Sequence, residues 1–155
     1  MRIIGIIYIL FNLFHTGLYA AENLPEIKPF HTDYCTGYPE GTREEPMLWA
    51  NCCIKHDLAY YVSGTRKDRR KADKLLRSCV EKVSTKTRAN IMYTGIVLGH
   101  LSPIKAKTAW GWAWKNFDRK SFDELSDEQK QEALHAIYQS DVELYLIDEF
   151  LKEFF

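Results

Sequence analysis

Apolar positions in this chain recur mostly at helical spacing, and little of it reads as a confident strand. Residues 47–62 carry such a pattern. Pro46 stands just before it, where helices begin readily, and Gly64 fits the C-terminal cap. Thr65 with Asp68 makes a near capping box, with Asp in place of Glu or Gln, and opens a second helix from Arg66 to about Val83. Two or three residues join these helices, so they are expected side by side and antiparallel. Residues 87–101 read as a third helix stopped by Ser102-Pro103, with Gly95 and Gly99 on one face for close packing on another helix. Ser126 with Gln129 forms a capping box for a last helix running toward Phe155. Its stripe would be Leu134, Ile137, Tyr138 and Leu144 or Tyr145. Residues 21–33, with Pro25 and Pro29, are an extended lead-in, and residues 33–46 are a loop. Residues 105–117 read as a loop or short strand. Trp110, Trp112 and Trp114 alternate there and are expected to pack over a small core rather than sit in a membrane interface.

The 155 residues suit one compact domain preceded by a targeting segment. Arg2, the apolar run 3–14 and the small-residue exit at Ala20-Ala21 read as a signal peptide over residues 1–20. The apolar run is shorter than the ~20 residues of a spanning helix, so cleavage is favoured over anchoring. The protein is therefore expected to be secreted or periplasmic. The zero net charge hides a split. Residues 21–120 hold eighteen basic and eleven acidic residues, and residues 121–155 hold ten acidic residues and two lysines. The domain proper is placed at 21–117, with an acidic helical extension at 118–155. A basic core suits an anionic surface, or docking by the acidic tail. Seven of the basic residues lie on the second helix, from Arg66 to Arg77, where an anionic lipid surface and plain solvation are both open readings. No recognition motif supports nucleic acid.

Four cysteines, Cys35, Cys52, Cys53 and Cys79, in a small exported domain read as two disulfides. Cys52 and Cys53 are neighbours in a helix and do not easily bond each other, which leaves two pairings. Zinc is disfavoured, because adjacent helical cysteines diverge by about 100°. Cys52, His56 and Tyr60 recur every four residues and share one helix face, while Asp57 looks to the next. If Cys52 bonds Cys79, Asp73 falls ~9 Å along from the disulfide, level with the gap between His56 at ~6 Å and Tyr60 at ~12 Å. A carboxylate there fixes the tautomer of His56 and leaves its other nitrogen free to accept a proton from water. Asp73 is, however, rotated about 120° from Cys79, so side-chain reach must close the gap. Cys35 would then pair with Cys53 and bring the 34–41 loop beside Asp57. A carboxylate facing loop carbonyls suits calcium (Ca2+).

The run Cys52-Cys53-Ile54-Lys55-His56-Asp57, with Tyr34-Cys35, Tyr60, and Asp73 six before Cys79, resembles the phospholipase A2 family. It is most similar to a compact bacterial branch. The close match covers about residues 33–83, the wider similarity reaches about residue 115, and the acidic tail lies outside it. The resemblance implies calcium-dependent hydrolysis of the sn-2 ester of glycerophospholipids, and the expected partner is a phospholipid at a membrane surface, met by a monomer. His56 would activate water, with Tyr60 and Asp73 supporting it. Asp57 would ligate calcium together with the backbone carbonyls of Tyr34, Thr36 and Tyr38. It also implies disulfides Cys35–Cys53 and Cys52–Cys79. Three features depart from the family. Tyr38-Pro39-Glu40 interrupts a loop that is usually glycine-rich, residues 21–33 hold no amphipathic helix, and only two disulfides are available. Two alternatives remain: a catalytically weak lipid-binding relative, and an interaction protein that uses its acidic tail. The expected fold is mainly α, two antiparallel disulfide-linked helices with further helices around them and little or no sheet.

Overall fold

In the computed structural model, residues 27–103, 106–114 and 122–155 are described; the expected signal peptide, residues 21–26 of the lead-in, and residues 104–105 and 115–121 lie outside them. The described chain is mainly α. Its helices are α1 (Ala50–Val62), α2 (Arg66–Val83), α3 (Lys86–Leu101), α4 (Asp127–Tyr138) and α5 (Leu144–Phe154). No sheet forms among the described residues; extended pairing is limited to the isolated bridge between Ile27 and Trp114.

Helix α1 starts three residues later than its apolar pattern predicts. Pro46 to Trp49 form tight turns in which Leu48 N–H reaches Glu45 O and Ala50 N–H reaches Met47 O. Trp49, the N-cap, is wholly buried. Its backbone N–H donates to Glu40 O at 2.9 Å and its indole to Pro39 O at 2.6 Å. The Pro39–Glu40 segment is thus the acceptor for the start of α1. Gly41 beside it admits no side chain, since a Cβ would lie 1.9 Å from Glu45 O.

At the other end, Ser63 caps α1 with φ 76° and Gly64 follows with φ 135°, a conformation that glycine adopts freely. Thr65 and Asp68 then form the full reciprocal capping box of α2. The disulfide Cys52–Cys79 and the contacts of His56 and Tyr60 with Asp73 run in opposite chain directions, which makes α1 and α2 antiparallel. The second disulfide joins Cys35 to Cys53, the pairing the resemblance implies.

Two expectations are corrected. The last helix is two helices, because Gln139 N–H returns to His135 O and the Ser140 hydroxyl folds back onto Ile137 O, ending α4. The turn swings α5 onto α1, so Leu146, Ile147, Phe150 and Phe154 are buried, while Tyr138, Leu144 and Tyr145 of the expected single stripe are exposed. The second correction concerns Gly95 and Gly99. Among the described residues no helix packs on them, and nothing lies within 4 Å of the place either Cβ would take.

The core has two parts. One gathers Leu58, Tyr61 and Val62 of α1 with Phe30, Trp112, Trp114, Leu125 and the buried residues of α4 and α5. The other gathers Trp49 and the disulfides with Leu76, Val80, Ala89 and Met92. The tryptophan segment is a series of turns rather than a strand. Trp112 and Trp114 are buried, as packing requires, and Trp110 is partly buried, donating its indole N–H to Gly64 O. On the outside of α5, Lys55 of α1 reaches both Glu149 and Glu153 at 3.1 Å, and Lys71 of α2 donates to the Phe154 carbonyl. The acidic C-terminal helix is thereby docked on basic residues of the core.

Candidate functional site

The antiparallel α1–α2 pair, locked by Cys52–Cys79, sets His56 and Tyr60 opposite Asp73. Asp73 Oδ1 lies 3.1 Å from His56 Nε2 and accepts the Tyr60 hydroxyl at 2.7 Å. Side-chain reach does close the rotational gap between Asp73 and Cys79. Asp73 is 3 % exposed. Burial by itself would raise its pKa, but hydrogen bonds from His56 and Tyr60, with the fields of His56 and His100, hold it below the ordinary carboxylate value.

A residue that the sequence reading passed over completes the cluster. His100, at the end of α3, has its Nε2 2.9 Å from the Tyr60 oxygen and 3.4 Å from Asp73 Oδ2. An ionised Asp73 only accepts. Tyr60 therefore gives its proton to Asp73, and its oxygen accepts from His100 Nε2–H. His56 likewise donates from Nε2, which leaves Nδ1 as the nitrogen with a lone pair. Burial, then Arg69, lowers the pKa of His100. Burial, then Asp73, raises that of Tyr60. Both residues thus stay neutral donors near pH 7. Trp110 stands edge-on to Tyr60 with ring centres 5.1 Å apart, and Gly111 N–H binds Tyr60 O at 2.8 Å, so the tryptophan turns hold this residue from behind. His100 was detectable in principle. It follows Met92 and Ile96 at four-residue spacing, the one imidazole on an otherwise apolar inward stripe.

Asp57 lies on the neighbouring face of α1, 4 % exposed. Its Oδ2 accepts the Thr32 hydroxyl at 2.6 Å, and the Asp33 backbone gives it a further hydrogen bond. The Cys35–Cys53 bond ties this loop to α1. Within the loop, Tyr34 has φ 58°, Thr36 donates to Asp33 Oδ1, and Tyr38 N–H closes a turn onto Cys35 O with Gly37 at φ 74°. Tyr38 also accepts a hydrogen bond from Arg88 through its hydroxyl. Tyr34, Thr36 and Tyr38 therefore share the loop that faces Asp57, while the groups that touch its carboxylate are Thr32 and Asp33. No group of three or more His, Cys, Asp or Glu side chains able to hold a metal occurs among the described residues. A cation at Asp57 would draw on main-chain oxygens. The donor chemistry suits a hard cation: a buried carboxylate, a second carboxylate close enough to repel it, and no ion-pair partner among the described residues.

Burial, opposed by Thr32 and assisted by Asp33, pushes the Asp57 pKa up to about 7. The unfolded chain ionises this group near the ordinary value, so the unfolded state binds fewer protons between about pH 4 and 7 and stability falls as pH rises through that window. In calcium-free protein, Asp57→Asn is expected to raise the unfolding midpoint at pH 8 and to leave it nearly unchanged at pH 4. A scan of Tm against pH checks this; a lower midpoint for the variant at pH 8 would mean that Asp57 is already charge-compensated.

A groove of about 720 Å³ lies on the far side of α2, lined by Lys67, Arg70, Lys71, Lys74, Leu75 and Phe154 among others. The space beside His56 between α1, α2 and α5 is about 20 Å³, room for about one water molecule. Of the Asp73 cluster, His56 lines the smaller space and no member lines the larger.

Compared with protein-family models, with curated proteins and with solved structures, the chain matches none.

Proposed function

We propose that this protein hydrolyses the sn-2 ester of glycerophospholipids with the help of calcium, His56 activating the attacking water. The reading rests on one observation: Asp73 Oδ1 meets both His56 Nε2 and the Tyr60 hydroxyl, at 3.1 and 2.7 Å. This is a base and its orienting carboxylate without a Ser or Cys nucleophile, an arrangement suited to water. The motif resemblance to phospholipases A2 supplies the substrate class.

In this scheme His56 Nδ1 takes the proton from water as the oxygen attacks the ester carbonyl. Asp73 stabilises the imidazolium that forms, and the same proton passes to the leaving glycerol oxygen. Tyr60 and His100 keep Asp73 ionised and fixed, as positioning residues. Calcium, held by Asp57 with the carbonyls of Tyr34, Thr36 and Tyr38, would polarise the ester carbonyl and stabilise its oxyanion.

The test is fatty-acid release from vesicles of mixed zwitterionic and anionic phospholipid, with calcium and then with chelator. Release in calcium that stops in chelator is expected. No release in either, with both disulfides verified, would overturn the reading. One observation favours the catalytically weak alternative: the Pro39 and Glu40 carbonyls are engaged by Trp49, so part of the loop has a structural task. Vesicle binding without hydrolysis is its signature.

A further inference from the structure

Helix α3 contributes His100 to the Asp73 cluster by its inner face, and its outer face has no partner among the described residues. From Ala89 to Leu101 it contains no Asp, Glu, Lys or Arg. Ala89 and Met92 are buried, and Ile96 and His100 are partly buried on the same side. The opposite side exposes Ile91 at 52 %, Leu98 at 60 % and Leu101 at 78 %, with Gly95 open between them. At 100° per residue, positions 91, 94, 95, 98 and 101 fall on one continuous arc. No other helix among the described residues exposes an apolar arc of such length, and a surface of this kind marks a contact face.

Two kinds of occupant suit a smooth apolar arc, a second copy of the chain and a lipid surface. The exposed length is about 16 Å and a helix is about 10 Å wide, a footprint on the order of 200 Å². That falls well short of the ~800 Å² per partner of a stable protein interface. A lipid surface needs no matching shape and takes an apolar helix face ~5–10 Å deep. Charge points the same way. From Lys74 to Phe117 there are eight Lys or Arg residues and a single acid, Glu81. Exposed Lys82 and Lys86 stand at the N-terminal rim of the arc. Cations at one end of an apolar face, in a basic stretch of chain, match anionic headgroups over acyl chains.

We propose that α3 docks on anionic lipid through Ile91, Leu98 and Leu101, placing the His100 end of the helix, and with it the His56–Asp73 cluster, at the lipid surface. The choice of lipid as occupant rests on the phospholipid reading of that cluster. Docking itself does not require hydrolysis, which keeps the two separable.

The experiment uses the full mature chain with sedimentable vesicles of phosphatidylcholine and phosphatidylglycerol, in chelator, so that binding is read without turnover. The triple variant Ile91→Gln/Leu98→Gln/Leu101→Gln replaces exposed residues with one that keeps helix propensity. Its partitioning should be on the order of 30-fold weaker. With calcium, its release of fatty acid from a short-chain phospholipid kept monomeric should equal that of the parent. The single variant Leu98→Gln, with circular dichroism of both, guards against misfolding. Parent-like vesicle binding by the folded triple variant overturns the proposal. So does a parent that ignores the vesicles, or one that forms a dimer which the triple variant abolishes. If the parent binds, the variant does not, and neither hydrolyses any substrate, α3 docking stands and the esterase reading falls.

Discussion

His56→Gln is expected to lower fatty-acid release by about 10³-fold or more, with a shift of only a few degrees in the unfolding midpoint. A glutamine amide can still donate to Asp73 across the 3.1 Å now occupied by His56 Nε2. It has no second nitrogen that takes up a proton, so water loses its base, a function worth about 10²–10⁴ in rate. The fold loses little, because His56 sits at the edge of the α1–α2 seam and its hydrogen bond is replaced. Release assays on parent and variant, paired with thermal melts, separate the two effects. Unchanged hydrolysis would sink the mechanism, while lost hydrolysis with a collapsed melt would leave the role of His56 to be read from Asp73→Asn. That variant keeps the volume but can no longer fix the Nε2–H tautomer.

Removal of the Cys52–Cys79 bond by the double change Cys52→Ser/Cys79→Ser should be the most damaging change to stability. The bond closes a loop with a sequence separation of 27, and the chain-entropy relation assigns such a loop about 3.5 kcal/mol. For a chain of this size that is roughly 10 °C in Tm. The same bond fixes the register that places Asp73 between His56 and Tyr60, so hydrolysis should fall along with stability. Cys35–Cys53, with a separation of 18, is worth about 3 kcal/mol by the same relation but anchors a different object, the loop at Asp57. Its removal should show chiefly as a higher calcium requirement. Thermal melts and calcium titrations on the two double variants distinguish these outcomes; equal calcium dependence in both would argue against a cation at Asp57.

The parts of this molecule that were legible in its sequence are those fixed by local rules. The Thr65–Asp68 and Ser126–Gln129 capping boxes placed two helix starts to the residue, because a cap is decided by side chains three positions apart. The His56–Asp73 meeting could be anticipated because a short connection and a cysteine pair leave two helices little freedom. What escaped was decided at a distance. The break between α4 and α5 has no glycine or proline to announce it; it follows from the gain of burying Phe150 and Phe154 against α1 and α2. His100 lies 27 residues from Asp73, and only the packing of α3 on α2 brings it in. The open arc around Gly95 reversed a reasonable reading, since small residues on a helix suggest a neighbour and the described residues supply none.

The docking of α5 has a consequence for how the chain reaches this state. Leu58 and Tyr61 of α1 share their core with Leu146, Ile147, Phe150 and Phe154, so the first helix is sheltered by residues made some ninety positions later, as the 94-residue span between Lys55 and Glu149 illustrates. A nascent chain that has emerged only through α2 and α3 holds a cluster of large apolar side chains with nothing to cover them, and contacts of such long range form slowly. The growing polypeptide should therefore stay loose and chaperone-dependent until α5 is synthesised. Until that last helix is made, the chain remains a thread rather than a finished fold.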